Sequence, residues 1–371
     1  MGNKFLIIDD SALMRRVISD IIKQNCEYEV LDLATNGLEG LDRLVARPGY
    51  YDLIILDINM PKMNGLEMLA MLQKNKMNET VVVVSTVAKE GAVETMKALE
   101  MGAVDFLTKP ENFYEVKSDS FKEALVRLIS TVTGKDFNKK NLVSTPDKAP
   151  ATGKPVVNSV RKVAAAGDFR KVNAPLASGN KIIALACSTG GPKSLQSVIP
   201  LIPANIDAPI VMVQHMPKGF TLSLANRLDG LSNVKVKEAE DGDVLEKGHV
   251  YIAPGGKHIK VQYINNRHVI KFHDAPAVEG LRPCANIMYE SLCESMYDYV
   301  TCVVLTGMGA DGTKGITAIK KSNKKMYVIG QDEESSVVYG MPRALYEAGL
   351  TDEVVPLDKI AERIIKNVGV H

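Results

Sequence analysis

Short apolar runs that stop abruptly on polar residues recur along this chain, with amphipathic stretches between them. In the first third, residues 5–8, 30–34, 53–56, 81–84 and 104–107 have the length and composition of strands. Between them, Met14, Val17, Ile18, Ile21 and Ile22 fall at helical spacing behind a capping Ser11. Residues 37–46, 66–72 and 93–101 repeat that helical pattern. Strands alternating with helices at this spacing predict a doubly wound α/β domain around a five-stranded parallel sheet.

The pattern returns after residue 180. The run Lys181-Ile182-Ile183-Ala184-Leu185-Ala186-Cys187 reads as a strand buried on both faces and runs into Ser188-Thr189-Gly190-Gly191-Pro192. Further strands are predicted over 210–213, 300–305 and 326–329, with extended, turn-rich segments at 234–239, 250–252 and 259–264. Helices are predicted over 194–199, 287–296 and 316–320, and a last helical piece over 344–348. Residues 261–264 and 268–272, joined by Asn265-Asn266-Arg267, predict a β-hairpin. The result is a second, three-layer α/β/α domain with a mostly parallel sheet. Between the two, residues 134–179 are rich in Lys, Asn, Ser, Pro and Ala and bury too little apolar surface for a core. The expected division is 1–133, a flexible linker over 134–179 with room for a short docking helix at 156–166, and 180–371.

Composition narrows the function classes. At 371 residues there is enough chain for two cores, and 45 Lys+Arg against 44 Asp+Glu leave no field that would recruit nucleic acid or anionic lipid. No apolar run spans a bilayer and the N-terminus enters a strand at once, so neither membrane insertion nor a cleaved signal peptide is expected. Five cysteines without a C-x-x-C pair fit free thiols in a reducing cytoplasm.

The chemistry gathers at strand ends, as it does in doubly wound sheets. In the first domain Asp9, Asp10 and Asp57 arrive at one edge together with Ser85 or Thr86 and Lys109. Carboxylates that close repel, and an all-oxygen set suits Mg2+. A metal-neutralised carboxylate can then attack a phosphoryl group. These features resemble a response-regulator receiver domain, of flavodoxin-like fold: the acidic pair Asp9-Asp10, Asp57 before Asn59-Met60-Pro61, a hydroxyl after the fourth strand, and Lys109-Pro110 after the fifth. The resemblance implies phosphorylation of Asp57 and Mg2+ held by Asp10, Asp57 and the Asn59 carbonyl, with Asp9 assisting through water. Ser85, ahead of Thr86, would be the switch hydroxyl and Lys109 the switch cation.

In the second domain Ser188, His215 and Asp311 each follow a buried strand. An alcohol, an imidazole and a carboxylate are what acyl transfer needs, with glycine-rich turns offering N–H groups to an oxyanion. His215 directly ends a strong strand, whereas His249, His258 and His273 lie in turn-rich segments; His258 could line the site. A rival reading comes from Gly307-Met308-Gly309-Ala310-Asp311-Gly312, which formally meets G-x-G-x-x-G with Asp332 beyond it. Asp311 would then place a negative charge beside the pyrophosphate, which opposes dinucleotide binding. A non-enzymatic regulator with a DNA-binding output is the other alternative, and it lacks a basic recognition helix.

The motifs Cys187-Ser188-Thr189-Gly190-Gly191-Pro192, Gln214-His215-Met216-Pro217, Tyr251-Ile252-Ala253-Pro254-Gly255, Leu305-Thr306-Gly307-Met308-Gly309-Ala310-Asp311-Gly312 and Gly340-Met341-Pro342 resemble the chemotaxis protein-glutamate methylesterase (CheB) family. That resemblance implies a hydrolase of glutamyl methyl esters, and often a deamidase of glutamines, on chemoreceptors. Ser188 would be nucleophile, His215 general base then acid, and Asp311 its orienter, without a cofactor in this domain. Met308 N–H would be an oxyanion donor, with Thr189 and Gly190 lining the site. The implied partners are methylated chemoreceptor cytoplasmic domains and a chemotaxis histidine kinase as phosphodonor. Ala186-Cys187 departs from the Gly-Ala usual in the family, so Cys187 stands as an alternative nucleophile. The fusion further predicts that the receiver gates the active site until Asp57 is phosphorylated.

Overall fold

Two doubly wound parallel sheets, packed side by side, organise the molecule. The computed structural model describes residues 2–86, 88–110, 119–134, 137 and 179–371. The predicted docking helix at 156–166, and the linker except residues 134, 137 and 179, lie outside them.

The first sheet contains β1 (Asn3–Ile8), β2 (Tyr28–Ala34), β3 (Leu53–Asp57), β4 (Val81–Ser85) and β5 (Asp105–Thr108), in the order β2-β1-β3-β4-β5. Every pairing is parallel, so the carboxyl ends of β1 and β3 lie side by side, with Ile8 opposite Leu56. The helices are α1 (Ala12–Asn25), α2 (Gly37–Ala46), α3 (Gly65–Lys74), α4 (Lys89–Glu100) and α5 (Asp119–Thr133). Ser11 caps α1 by accepting from Met14 N at 3.3 Å, as its position predicts.

The second sheet, with strands β6 (Lys181–Cys187), β7 (Ile210–Gln214), β8 (Lys235–Glu238), β9 (His249–Ile252), β12 (Tyr299–Val304), β13 (Lys325–Gln331) and β14 (Glu353–Val355), has the order β14-β13-β12-β6-β7-β9-β8 and is parallel throughout. Its central strand, β6, is buried at every position. Strand alternation sends Ile183, Leu185 and Cys187 into one core layer and Ile182, Ala184 and Ala186 into the other. The helices α6 (Gly191–Val198), α7 (Phe220–Asp229), α8 (Ala285–Ser291), α9 (Thr313–Lys321), α10 (Gly340–Glu347) and α11 (Leu357–Val368) cover the two faces. Strands β10 (His258–Ile264) and β11 (Arg267–His273) form a separate antiparallel hairpin.

Several elements differ from the sequence reading. Helices α5, α7 and α11 and strand β14 are not among the predicted elements, so 344–348 is not the last helical piece. Each of these helices carries its own signal. Phe121, Leu125, Leu128 and Ile129 of α5 are buried at helical spacing, as are Phe220, Leu224, Ala225 and Leu228 of α7 and Ile360, Ala361, Ile364 and Val368 of α11. Helix α8 closes in a 3-10 turn at Leu292–Glu294 instead of running to 296. There the Ser291 hydroxyl donates to Met288 O and the Ser295 hydroxyl to Leu292 O. The hairpin turn is two residues, Asn265 and Asn266, both at positive φ, with Arg267 already paired to Ile264. Among the described residues no helix is long and apolar enough to cross a membrane.

Candidate active site and receiver site

The carboxyl end of β6 turns sharply into α6, and the turn carries Ser188. Ser188 N donates to Thr306 O at 3.0 Å, two residues past the last pair of the β6–β12 ladder. Gly191 N then donates back to Ser188 O at 2.7 Å, and Gly190 takes φ 76°, which L side chains rarely adopt. This is the strand-to-helix elbow expected from the sequence, formed with Ala186 buried beneath it. The loop after β12 closes on the elbow: a Cβ at Gly307 would lie 2.8 Å from Ser188 Cβ and 2.4 Å from Met341 Sδ. Only a residue without a side chain permits that approach.

His215 lies one residue beyond β7, beside the elbow, with its N–H on Cys187 O at 3.2 Å. Its Nε2 is 2.8 Å from Asp311 Oδ2, which leaves Nδ1 as the ring nitrogen free for a substrate-side proton. Asp311 is also held by three main-chain amides. Ala285 N donates to Oδ2 at 2.6 Å, Asn286 N to Oδ1 at 2.9 Å and Gly312 N to Oδ1 at 3.0 Å. Burial alone would raise the Asp311 pKa. The hydrogen bond and charge of His215, with the Ala285 and Asn286 amides, outweigh it and hold the carboxyl down at about 2.

The amino end of α8 is therefore part of the site, and the sequence reading missed it. Asn286 also accepts from Gly312 N at 3.0 Å and Gly315 N at 2.8 Å, tying the Asp311 loop to α8. The signal was a turn, Arg282-Pro283-Cys284, directly before a helix start, where free amides point outward. His258 supports this turn from behind, accepting from Cys284 N at 3.1 Å, and is fully buried.

Two alternatives lose their footing. The Cys187 thiol is buried, with burial pushing its pKa far up, and it donates to Gln214 Oε1 at 3.0 Å on the core side of the strand. A thiol that is hard to ionise and turned into the core is a poor nucleophile. The glycine loop at 307–312 packs on Ser188 rather than opening as a phosphate cradle, and Asp332 is engaged by Ser335 N at 3.0 Å.

At the receiver edge, carboxylate oxygens of Asp9, Asp10 and Asp57 all lie within 4.8 Å of one another. Asp9 and Asp57 are buried and Asp10 is exposed. Lys109 Nζ bridges Asp57 Oδ2 at 2.7 Å and Asp9 Oδ2 at 3.0 Å. Burial disfavours the lysine charge, but the two carboxylates hold its pKa above the ordinary value. Burial pushes Asp57 up to about 6; Lys109 pulls it down and Asp9 pushes it further up. Three crowded oxygen donors with an under-compensated charge fit a hard divalent cation. Asn59, beside Asp57, places its N–H 3.4 Å from Oδ1, while its side chain donates to Glu94 at 3.0 Å. Ser85 is buried at the end of β4 with its hydroxyl on Gly91 O at 3.0 Å, whereas Thr86 is exposed.

The two edges meet across one interface. Receiver helix α4 packs on α6 and α7, and their apolar side chains belong to one continuous buried cluster. Phe106 of β5 stacks on Phe220 with ring centroids 4.6 Å apart, and Arg227 reaches Glu100 at 2.9 Å. Thr131 of α5 touches the Met308 side chain. The Thr189 hydroxyl donates to Asp105, whose pKa burial raises to about 6. Ser188, His215 and Asp311 thus open into a cleft of about 480 Å3 whose other wall is the receiver, including Phe106, Leu128 and Thr131.

Comparison with known proteins identifies both halves of the chain. Residues 183–364 match the CheB methylesterase family and residues 5–119 the response regulator receiver domain. A protein-glutamate methylesterase/protein-glutamine glutaminase from Geobacillus kaustophilus is 39% identical, covering 99% of this chain and 99% of its own. One of the same name from Pyrococcus horikoshii is also 39% identical, covering 99% of this chain and 95% of its own. The crystal structure of the Thermotoga maritima CheB methylesterase catalytic domain is 43% identical, covers 51% of this chain and 99% of that one, with a TM-score of 0.49. With full-length relatives at this identity, and both domain families matched in order, the chain belongs to the CheB methylesterase family.

Proposed function

We propose that this protein is a phosphorylation-activated serine hydrolase that removes methyl groups from glutamyl methyl esters, and ammonia from glutamines, on chemoreceptor cytoplasmic domains. The observation that carries the reading is the His215–Asp311 pair, locked by main-chain amides and opening beside Ser188 into one cleft. Ser188 Oγ attacks the ester carbonyl carbon while His215 Nδ1 takes its proton. Asp311 fixes the tautomer and stabilises the imidazolium at Nε2. The tetrahedral oxyanion is received by main-chain N–H groups, with Met308 N–H first and the Thr189–Gly190 turn beside it. Methanol leaves with the proton from His215. Water, deprotonated by the same imidazole, then hydrolyses the acyl-serine to glutamate.

On the receiver side Asp57 accepts a phosphoryl group from a histidine kinase as the donor's nitrogen departs. Asp10, Asp57 and the Asn59 carbonyl would hold Mg2+, with Asp9 nearby; when bound, it neutralises charge on the incoming phosphoryl oxygens. Ser85 and Lys109 engage the new phosphate, Ser85 being favoured over Thr86 by its burial at the strand end. Their movement reshapes β5, which lines the cleft, and α4, which packs on α6 and α7, and shifts the molecule towards an open state. The test is methanol release from methylated receptor membranes with and without a small phosphodonor. A rise on phosphorylation that Asp57→Asn abolishes supports gating; no rise in the wild type sinks it.

A further inference from the structure

Gln214 is 2% exposed, and its side-chain amide is fully engaged. Nε2 donates to Ser188 O at 3.0 Å and to His215 O at 3.1 Å, while Oε1 accepts from the Cys187 thiol at 3.0 Å. The amide orientation follows, since carbonyl oxygens accept only from the nitrogen end. Its place in the sheet explains why this matters. Cys187 and Gln214 are the last paired residues of β6 and β7, and His215 N on Cys187 O is the final rung. Beyond it both chains turn away, one carrying Ser188 and the other His215. No further ladder bond sets the gap between them.

We propose that Gln214 is a positioning residue for the hydrolysis, its amide bracing the nucleophile turn against the histidine turn where the sheet ladder ends. The proposal rests on reading Ser188 and His215 as nucleophile and base. Cys187 completes the brace by holding the amide's oxygen. The thiol at the position where the sequence departs from its family thereby serves the site without reacting.

Full-length Gln214→Met and Gln214→Glu test it, using methanol release, thermal midpoints and the rate at which a small fluorophosphonate modifies Ser188. Gln214→Met keeps volume but loses both donors, so kcat should fall about 10- to 100-fold with KM within about twofold. Phosphonylation, in which Ser188 Oγ displaces fluoride without receptor binding, should slow by the same factor. Gln214→Glu sets a carboxylate against two carbonyls. Its activity relative to wild type should rise as pH falls towards about 5, because protonation restores one O–H donor. Wild-type kcat in a folded Gln214→Met, or losses that only track the unfolded fraction in both variants, would overturn the proposal. A Ser188→Ala protein that still released methanol would instead defeat the nucleophile reading. An inactive Ser188→Ala beside a fully active Gln214→Met defeats the bracing role alone.

Discussion

Asp57 ends strand β3 and Asp311 lies in the loop after strand β12, so both stand at the carboxyl edge of a parallel sheet, and both are buried. Their environments drive them apart. Asp311 receives main-chain amides from Ala285, Asn286 and Gly312 together with His215, and is held at about 2. Asp57 rises to about 6, because burial and the repelling Asp9 outweigh Lys109 and a long 3.4 Å contact from Asn59 N. Fixed dipoles satisfy one carboxylate permanently, as suits an orienter. The other is left in need of a cation, as would suit the proposed acceptor of a phosphoryl group. The lesson is that burial does not set a carboxylate's role; the number of donors built around it does.

The largest effects come from the satisfied edge. Ser188→Ala should lower methanol release by roughly 10⁴-fold or more. Asp311→Asn should cost about 10³- to 10⁴-fold in kcat, since an amide cannot hold the productive tautomer of His215. The contrast with Asp57 shows in stability. Its folded-state pKa is raised from 3.8 to about 6, so the folded receiver keeps a proton that the unfolded chain has released. Stability therefore falls as pH rises from about 4 to about 6, and the full cost remains above that. Asp57→Asn should stabilise the metal-free protein at pH about 8 by roughly 1–3 kcal/mol, after allowing for the partner Lys109 loses. That gain should vanish near pH 4 on calorimetry, and added Mg2+ should raise the wild-type midpoint more than the variant's. Asp311 has the opposite sign: its contribution is complete above about pH 4 and disappears as pH falls through about 2. The smallest effect lies between the sheets. Phe106→Ala removes an aromatic stack worth ~0.5–1.5 kcal/mol and should raise the unphosphorylated hydrolysis rate about 2- to 10-fold. An unchanged rate would show that the stack does not hold the cleft shut.

Both sheets and the strand-end residues were legible because each buried strand is a continuous apolar run broken by a chemical residue. Ser188, His215 and Asp311 are far apart in sequence, yet the rule that parallel strands present their carboxyl ends together placed them at one edge. The main-chain partners of Asp311 were not legible, because Ala285 contributes only its amide. Side-chain identity carries no trace of such a role. Helix α7 was hidden for another reason: Phe220, Leu224 and Leu228 mark one face, but polar residues between them dilute the short segment. The interface escaped as well, since Phe106 and Phe220 are each ordinary core candidates until two domains are laid together.

The Thr189 hydroxyl donates its single proton to Asp105 of the receiver and neighbours the nucleophile. On the gating reading, that bond anchors the receiver one residue from Ser188, on the turn whose main-chain N–H groups the oxyanion would need. The covering domain would then have to let go before chemistry starts, which would place signal and catalysis in series. Saturating substrate would accordingly lessen, but not replace, the need for phosphate at residue 57.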